Sequence, residues 1–404
     1  MWLLTELKKR KKEDKPAVIC RERCLTYRQL WEQSEQIAQK MLGDLQTKAP
    51  ILIYGNKNNE IIPVMVAALK TGRAYVPVDV TFPVERLSRI QKITEAEMVF
   101  NFSHADLGEL SKDCLVIQEN DYAEIIADTV SGEVPEDQWV QGEDNCYILF
   151  TSGSTGDPKG VQITKNNILN FVGWFSGYAA VPEGAAVLNQ VSYSFDVSVI
   201  QLYIYLASGA TLFSIDKGMI EDFGELFHYL VESDISAWVS TPAFIEMCAV
   251  YNSFDSGLLP NLQKIILAGE VLTKKLTRAL WDKFPGVQVI NGYGPTEGTV
   301  LLTCCEITEK MVEDMENELP IGRILDGGIC WLEDSEHRPM EMESGKGELV
   351  VCSDSISKGY FKNPEITEKH FYNSESGGLI APVIWSMPLG KISTIAGGSI
   401  FKSS

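Results

Sequence analysis

The chain has 404 residues, 45% of them hydrophobic and 22% charged, enough apolar material for a large core divided into two or more domains or subdomains. Thirty-five Lys and Arg stand against 55 Asp and Glu, and the resulting net charge of −20 excludes nonspecific nucleic-acid binding. Nine scattered cysteines with no CxxC pair fit reduced thiols, and the longest apolar run, residues 61–69, is too short to span a bilayer, so the sequence reads as a cytoplasmic protein with no membrane insertion.

In chain order, apolar residues precede the basic run 8–12, the reverse of a signal peptide, and the run reads as a solvated helix face. Thr26 and Gln29 stand in capping-box register and open a helix whose apolar face continues through Leu30, Ile37 and Met41. Residues 51–54 predict a buried strand, residues from about 60 to 70 a helix stopped at Thr71 and Gly72, and residues 75–79 the next strand. This β-α-β alternation predicts an α/β fold with a parallel sheet covered by helices. Another strand is expected at 147–150. The alternation returns with a strand at 264–268, a helix at 271–284 and a strand at 287–290. Cys304 and Cys305 fall in a strand-like run and read as core packing. From about 319 to 379 short strands between Gly and Asp turns, such as 347–352, predict a smaller β-rich subdomain that closes a domain spanning 1–379.

Two glycine-rich motifs each follow a predicted strand. In open α/β sheets, that is where ligands collect. Residues 151–160, Thr-Ser-Gly-Ser-Thr-Gly-Asp-Pro-Lys-Gly, suit a polyphosphate. Glycines admit the phosphate oxygens close to the backbone, hydroxyls and exposed N–H groups donate, and the lysine neutralises charge. The spacing is not that of a Walker loop. In isolation such a cluster is more often a flexible loop, but Asn-Gly-Tyr-Gly-Pro-Thr-Glu at 291–297 forms a second motif of the same kind.

Taken together, residues 69–79, 151–160, 195–198, 291–297 and 319–323 resemble, in set, order and spacing, the motifs of the adenylate-forming enzymes, and among them the amino-acid adenylation domains. The resemblance covers roughly residues 20–379. It implies a large N-terminal domain with two parallel-rich sheets, ATP and Mg²⁺ as cofactors, and a reaction in which a carboxylate attacks the α-phosphorus and pyrophosphate leaves. Two anions must meet, so such catalysis rests on positioning and charge neutralisation. The resemblance implies ATP contacts for Thr151, Ser152, Gly153, Ser154, Thr155, Gly156 and Lys159. It places Lys159, Thr296 and Glu297 at the reacting phosphates, with Glu297 as the magnesium ligand. Tyr293 would stack on adenine and Asn291 would bond its exocyclic amine, while Gly269, Glu270, Gly292, Gly294 and Pro295 complete the nucleotide pocket. Asp196 would pair with a substrate ammonium, which favours an amino acid over a fatty or aryl acid. Taken singly, Asp196 serves equally as the cap of a helix starting at Ser198, Tyr293 as a packed aromatic and Glu297 as a surface carboxylate.

Within that family, residues 30–34, 49–55, 194–203 and 238–244 resemble the D-alanine-activating branch, which loads a carrier protein's phosphopantetheine thiol for teichoic acid modification. This implies D-alanine, or another small amino acid, and a phosphopantetheinylated carrier protein as partners, with Ala268 and Val300 bordering the alanine side chain. Ala268 stands where that branch has cysteine, and Gly292 where threonine is usual; both read as enlarging the pocket. The alternatives are a nonribosomal-peptide-type adenylation domain for another small amino acid and a non-catalytic nucleotide-binding remnant. The resemblance continues through Gly359, Tyr360, Pro364, Glu365 and Phe371, then stops at Leu379. Residues 380–404 are expected to be the product of a shifted reading frame, because one T restored before the Ile380 codon permits Tyr-Arg-Thr-Gly-Asp-Leu and later the family's hinge. On that expectation the C-terminal lid domain is absent, adenylation is slow and thiol loading slower still. His104, His228, His337 and His370 fall outside every motif and receive no role.

Overall fold

The computed structural model describes residues 2–108, 110–128, 132–152, 158–334, 336, 338–340, 348–373 and 379–383. Gly153, Ser154, Thr155 and Gly156 of the first motif, and the tail from 384, lie outside the described residues.

Strand alternation produces the layering. In the strand Ile51–Gly55, Ile51 and Ile53 join one core cluster while Leu52 and Tyr54 join another. In Lys264–Ala268, Ile266 and Ala268 join that same first cluster, and Ile265 and Leu267 a third. Successive side chains of a strand face opposite ways, so the shared cluster is an inner layer between two sheets. The first sheet runs Leu115–Gln118, Met98–Asn101, Ile51–Gly55, Tyr75–Asp79, Asn145–Ser152, Pro158–Thr164, parallel except for its closing hairpin. The second runs Arg23–Thr26, Pro16–Cys20, Thr211–Ser214, Ala186–Asn189, Ile235–Ser240, Lys264–Ala268, Gln288–Tyr293, Thr303–Glu306, Arg323–Ile324, parallel in its middle and antiparallel at both edges.

The inner layer holds the helix Ile61–Lys70 and the π-helical segment Ile200–Leu206, every residue of both buried. A helix apolar on all sides needs such a place. The helix Tyr27–Asp44 begins at the expected capping box: Gln29 N–H donates to the Thr26 hydroxyl at 3.2 Å, and Thr26 N–H to Gln29 Oε1 at 2.9 Å. The N-terminal helix Leu3–Arg10 buries Leu3, Leu4 and Leu7. Its basic residues are not simply solvated, since Lys8 pairs with Glu136 and Lys11 with Glu133.

Three expectations shift. The helix expected from 271 begins at Lys274, capped by Thr273, because Leu272 is held extended by the N–H of Leu319. The strand expected to end at 290 continues to Tyr293, since Asn291 and Gly292 are laddered to Leu267 and Ala268 on one side and to Cys305 and Cys304 on the other. The β-rich subdomain begins later than 319, as Arg323–Ile324 is still the edge of the nine-stranded sheet. The separate antiparallel sheet runs Pro339–Met340, Ile329–Glu333, Glu348–Cys352, Leu379–Val383, Tyr372–Asn373, so residues 380–383 pair inside it. Among the described residues no disulfide joins the cysteines, and no helix is long and apolar enough to cross a membrane.

Candidate functional site

The carboxyl ends of the parallel strands bring the chemically loaded residues together. Tyr147 and Leu149 of one hairpin strand, and Val161 and Ile163 of the other, face the inner layer. Thr151 and Lys159 continue those two series and are register partners. The Lys159 ammonium lies 5.4 Å from the centroid of the Tyr360 ring. Tyr360 in turn donates its hydroxyl proton to Glu297 Oε1 at 2.7 Å. The Glu297 carbonyl accepts from Ser357 N–H at 2.7 Å. Next to Glu297, the Thr296 hydroxyl lies beside the Asp196 carboxylate, where it favours the charged form. Lys159, Glu297 and Asp196 therefore form one continuous cluster, bridged by Tyr360 and Thr296.

A tightly closed loop carries Thr296 and Glu297. Strand Gln288–Tyr293 leads into the short 3₁₀ turn Thr296–Gly298, and the loop closes where Leu302 N–H donates to the Tyr293 carbonyl at 2.8 Å. A Cβ on Gly294 would stand 2.7–2.8 Å from the backbone of Val300, Leu301 and Leu302, so only glycine fits there. Thr299 and Val300 take left-handed φ values of 57° and 72°. Two consecutive β-branched residues in that region cost roughly 1–3 kcal/mol each. The Thr299 hydroxyl donates to the Ser355 carbonyl and Val300 is buried, which holds the turn in place.

Asp196 is 4% exposed. Burial pushes its carboxyl up to about 7, against the Thr296 hydroxyl, which favours the charged form; the neighbouring Glu297 charge pushes it further up. Among the described residues no lysine or arginine pairs with it. The helical cap reading fits only the backbone, where the Asp196 carbonyl accepts from Val199 N–H at 2.9 Å.

The remaining candidates are placed as follows. Asn291 is buried and donates Nδ2 to the Pro320 carbonyl at 2.8 Å, leaving Oδ1 as the atom able to accept from an amine. Tyr293 and Pro295 are half-buried. Ala268 and Val300 are packed in the inner layer. The Phe195 ring lies against Gly269, where a Cβ would come within 2.9 Å of it. Glu270 is exposed, and its Oε2 accepts from Ala243 N–H at 2.8 Å at the start of the helix Pro242–Ala249. Gly292 does not enlarge the pocket: the space a Cβ would take is filled by Leu301, whose Cδ1 would lie 2.7 Å away. Two hollows elsewhere, one beside Gln36 and Leu115 and one beside Lys48 and Glu97, include none of these residues.

For a metal, the donor set is lean. Among the described residues no three His, Cys, Asp or Glu side chains group together. Glu297 offers one carboxylate, steadied at Oε1 by Tyr360. That suits Mg²⁺ arriving on phosphate oxygens, which needs few carboxylates, and not a resident cage. Sequence reasoning gave Tyr360 no role. The only signal for it was its place after Gly359 in the last segment that matches the family.

D-alanine–D-alanyl carrier protein ligase of Bacillus cereus (strain B4264) is 37% identical over 377 residues, covering 92% of this chain and 73% of that protein. The protein of that name from Bacillus mycoides (strain KBAB4) matches at 37% over 377 residues, with the same 92% and 73% coverage. Among solved structures, the nonribosomal peptide synthetase FmoA3 has a TM-score of 0.83 at 22% identity, over 95% of this chain and 40% of that one. The N-terminal subdomain of Klebsiella oxytoca NpsA, in complex with 3-hydroxybenzoyl-AMSN, has a TM-score of 0.78 at 20% identity over 94% of each. These structures share the fold. The match to the AMP-binding enzyme family spans residues 5–361, taking in most of the N-terminal helix that the motifs left out, and the chain belongs to that family.

Proposed function

We propose that the chain activates D-alanine with ATP to D-alanyl-AMP and passes it to the phosphopantetheine thiol of a carrier protein. One observation carries this reading: a buried carboxylate, Asp196, stands without a basic partner among the described residues, in contact with Thr296 and beside Glu297. An amino-acid ammonium supplies the opposite charge; a fatty or aryl acid does not. The ligase relatives support alanine in particular. Ala268 and Val300, the residues proposed to border the substrate side chain, are both buried.

In this mechanism Asp196 anchors the ammonium and directs the substrate carboxylate toward Thr296, beside the α-phosphate. Lys159 and residues 151–156 hold the β- and γ-phosphates, Tyr293 stacks on adenine, and Asn291 Oδ1 accepts from its exocyclic amine. Bound to Glu297, Mg²⁺ would supply positive charge to the phosphates. A carboxylate oxygen forms its bond to the α-phosphorus as the bond to pyrophosphate breaks. The thiol sulfur later bonds to the carbonyl carbon and AMP leaves.

The test is pyrophosphate release with ATP, Mg²⁺ and one amino acid at a time, run beside thermal-shift titrations of the same mixtures. D-Alanine should give the largest response in both. A larger response to L-alanine or to another amino acid favours the nonribosomal-peptide reading, and binding without release favours the nucleotide-binding remnant.

A further inference from the structure

Tyr360 makes two contacts that no motif explains. Its hydroxyl is bonded to Glu297 Oε1 at 2.7 Å, and its ring lies 5.4 Å from the Lys159 ammonium. One side chain thus touches both charged groups that the proposed function assigns to the phosphates. The sequence separation is large, 63 residues to Glu297, so the contact is a product of the fold.

The surrounding chain is built to hold the ring still. Gly359 has φ +106°, and a Cβ there would stand 2.3 Å from Thr367 Cγ2. Tyr360 N–H donates to the Thr367 hydroxyl at 2.9 Å, fixing the turn that aims the side chain. On either side, Gln162 N–H donates to the Gly359 carbonyl at 3.2 Å and Phe361 N–H to the Gly160 carbonyl at 2.7 Å, which straps this segment to the strand bearing Lys159. Phe371 meets the ring edge-on at 5.5 Å. The Thr299 hydroxyl and the Glu297 carbonyl are both bonded to residues 355–357, which ties the loop to the strap.

We propose that Tyr360 is a positioning residue that sets the Glu297 carboxylate for a metal–nucleotide and keeps Lys159 beside it. The inference rests on the proposed ATP site. With Oε1 held by the phenol, Oε2 is presented in one orientation, which suits an ion that takes a single carboxylate oxygen and several phosphate oxygens. Without the hydroxyl, Glu297 loses that orientation. The aromatic ring separately favours a cation above it.

Titrating ATP at a series of MgCl₂ concentrations against the wild-type chain, Tyr360→Phe and Tyr360→Leu separates the two contacts. Tyr360→Phe should keep the melting temperature of the ligand-free chain and its metal-free ATP affinity, while the Mg²⁺ concentration for half-maximal ATP binding rises about 5- to 10-fold. Tyr360→Leu should weaken metal-free ATP binding as well. An unchanged Mg²⁺ midpoint in Tyr360→Phe overturns the inference. So does an equal loss with and without metal, or a large fall in melting temperature, because each marks a structural role only. If the wild-type chain itself shows no Mg²⁺-dependent ATP binding, the site reading falls and takes the inference with it.

Discussion

Burial, with the Glu297 charge behind it, pushes the Asp196 carboxyl up to about 7 from an ordinary 3.8, against the nearby Thr296 hydroxyl. Between those values the folded chain holds a proton that the unfolded chain has lost, so this residue lowers stability as pH rises from about 4 to 7. An ammonium binds the charged form, so amino-acid affinity should rise over the pH range in which stability falls. Asp196→Asn should therefore flatten the dependence of melting temperature on pH between 5 and 8, raise the melting temperature at pH 8, and abolish amino-acid binding while ATP still binds. An unaltered pH slope in that variant would show that the carboxylate is not held uncompensated. Short motifs in the sequence name Asp196, Thr296 and Glu297. The bond from Tyr360 to Glu297 was not legible, because it joins groups far apart in the chain and no spacing rule predicts such a contact. The bonds from Asn291 to Pro320 and from Glu270 to Ala243 were equally hidden.

At the scale of elements, the helices Tyr27–Asp44 and Ile61–Lys70 are joined by a buried ion pair. The Lys70 ammonium is bonded to Glu35 Oε1 and to the Ser34 hydroxyl, each at 2.7 Å, over the Trp31 ring at 3.3 Å. Burial draws the Lys70 amine down to about 7 despite Glu35. Removing one partner strands the other, so Glu35→Gln should cost about 3–5 kcal/mol, with much of it regained in Glu35→Leu combined with Lys70→Met. Chemical denaturation measures both. The loop bearing Glu297 behaves differently from a cap. Thr26→Ala should cost about 1 kcal/mol and leave ATP binding intact. Gly294→Ala should cost about 1–3 kcal/mol and also lose ATP binding, because the backbone of 300–302 must move. Capping boxes and strand alternation are local signals, which is why the helix from Tyr27 and the strands at 51 and 264 could be read directly. The start of the helix at Lys274 depends on a bridge from Thr273 to Glu318, a distant partner the sequence does not announce.

Across the whole molecule, the two sheets are fastened beside the proposed ammonium site. Asp79, at the end of a strand in the six-stranded sheet, accepts from the Ser192 hydroxyl at 2.7 Å and from Asn56 Nδ2 at 2.8 Å. Ser192 lies on the segment that leads from the nine-stranded sheet to Asp196. The buried Lys57 amine reinforces the join by donating to Asn189 Oδ1 at 2.8 Å and to the Val191 carbonyl at 2.6 Å. Asp79→Ala should accordingly weaken D-alanine binding about 5- to 10-fold, the size of one ordinary hydrogen bond, while ATP affinity holds; calorimetric titration distinguishes the two. The α/β class was readable from alternating elements, but which strands share a sheet was not, because sheet partnership is settled by packing across the inner layer.

The central claim is that one cleft takes an ammonium at Asp196 and phosphates at Lys159 and Glu297. Titrating the chain with a hydrolysis-resistant D-alanyl adenylate analogue, with AMP for comparison, tests it most directly. The analogue should bind at least about 100-fold more tightly than AMP, as two linked sites require, and Asp196→Asn should erase that gain. An analogue that binds no better than AMP, or an Asp196→Asn chain that keeps the full gain, would contradict the claim.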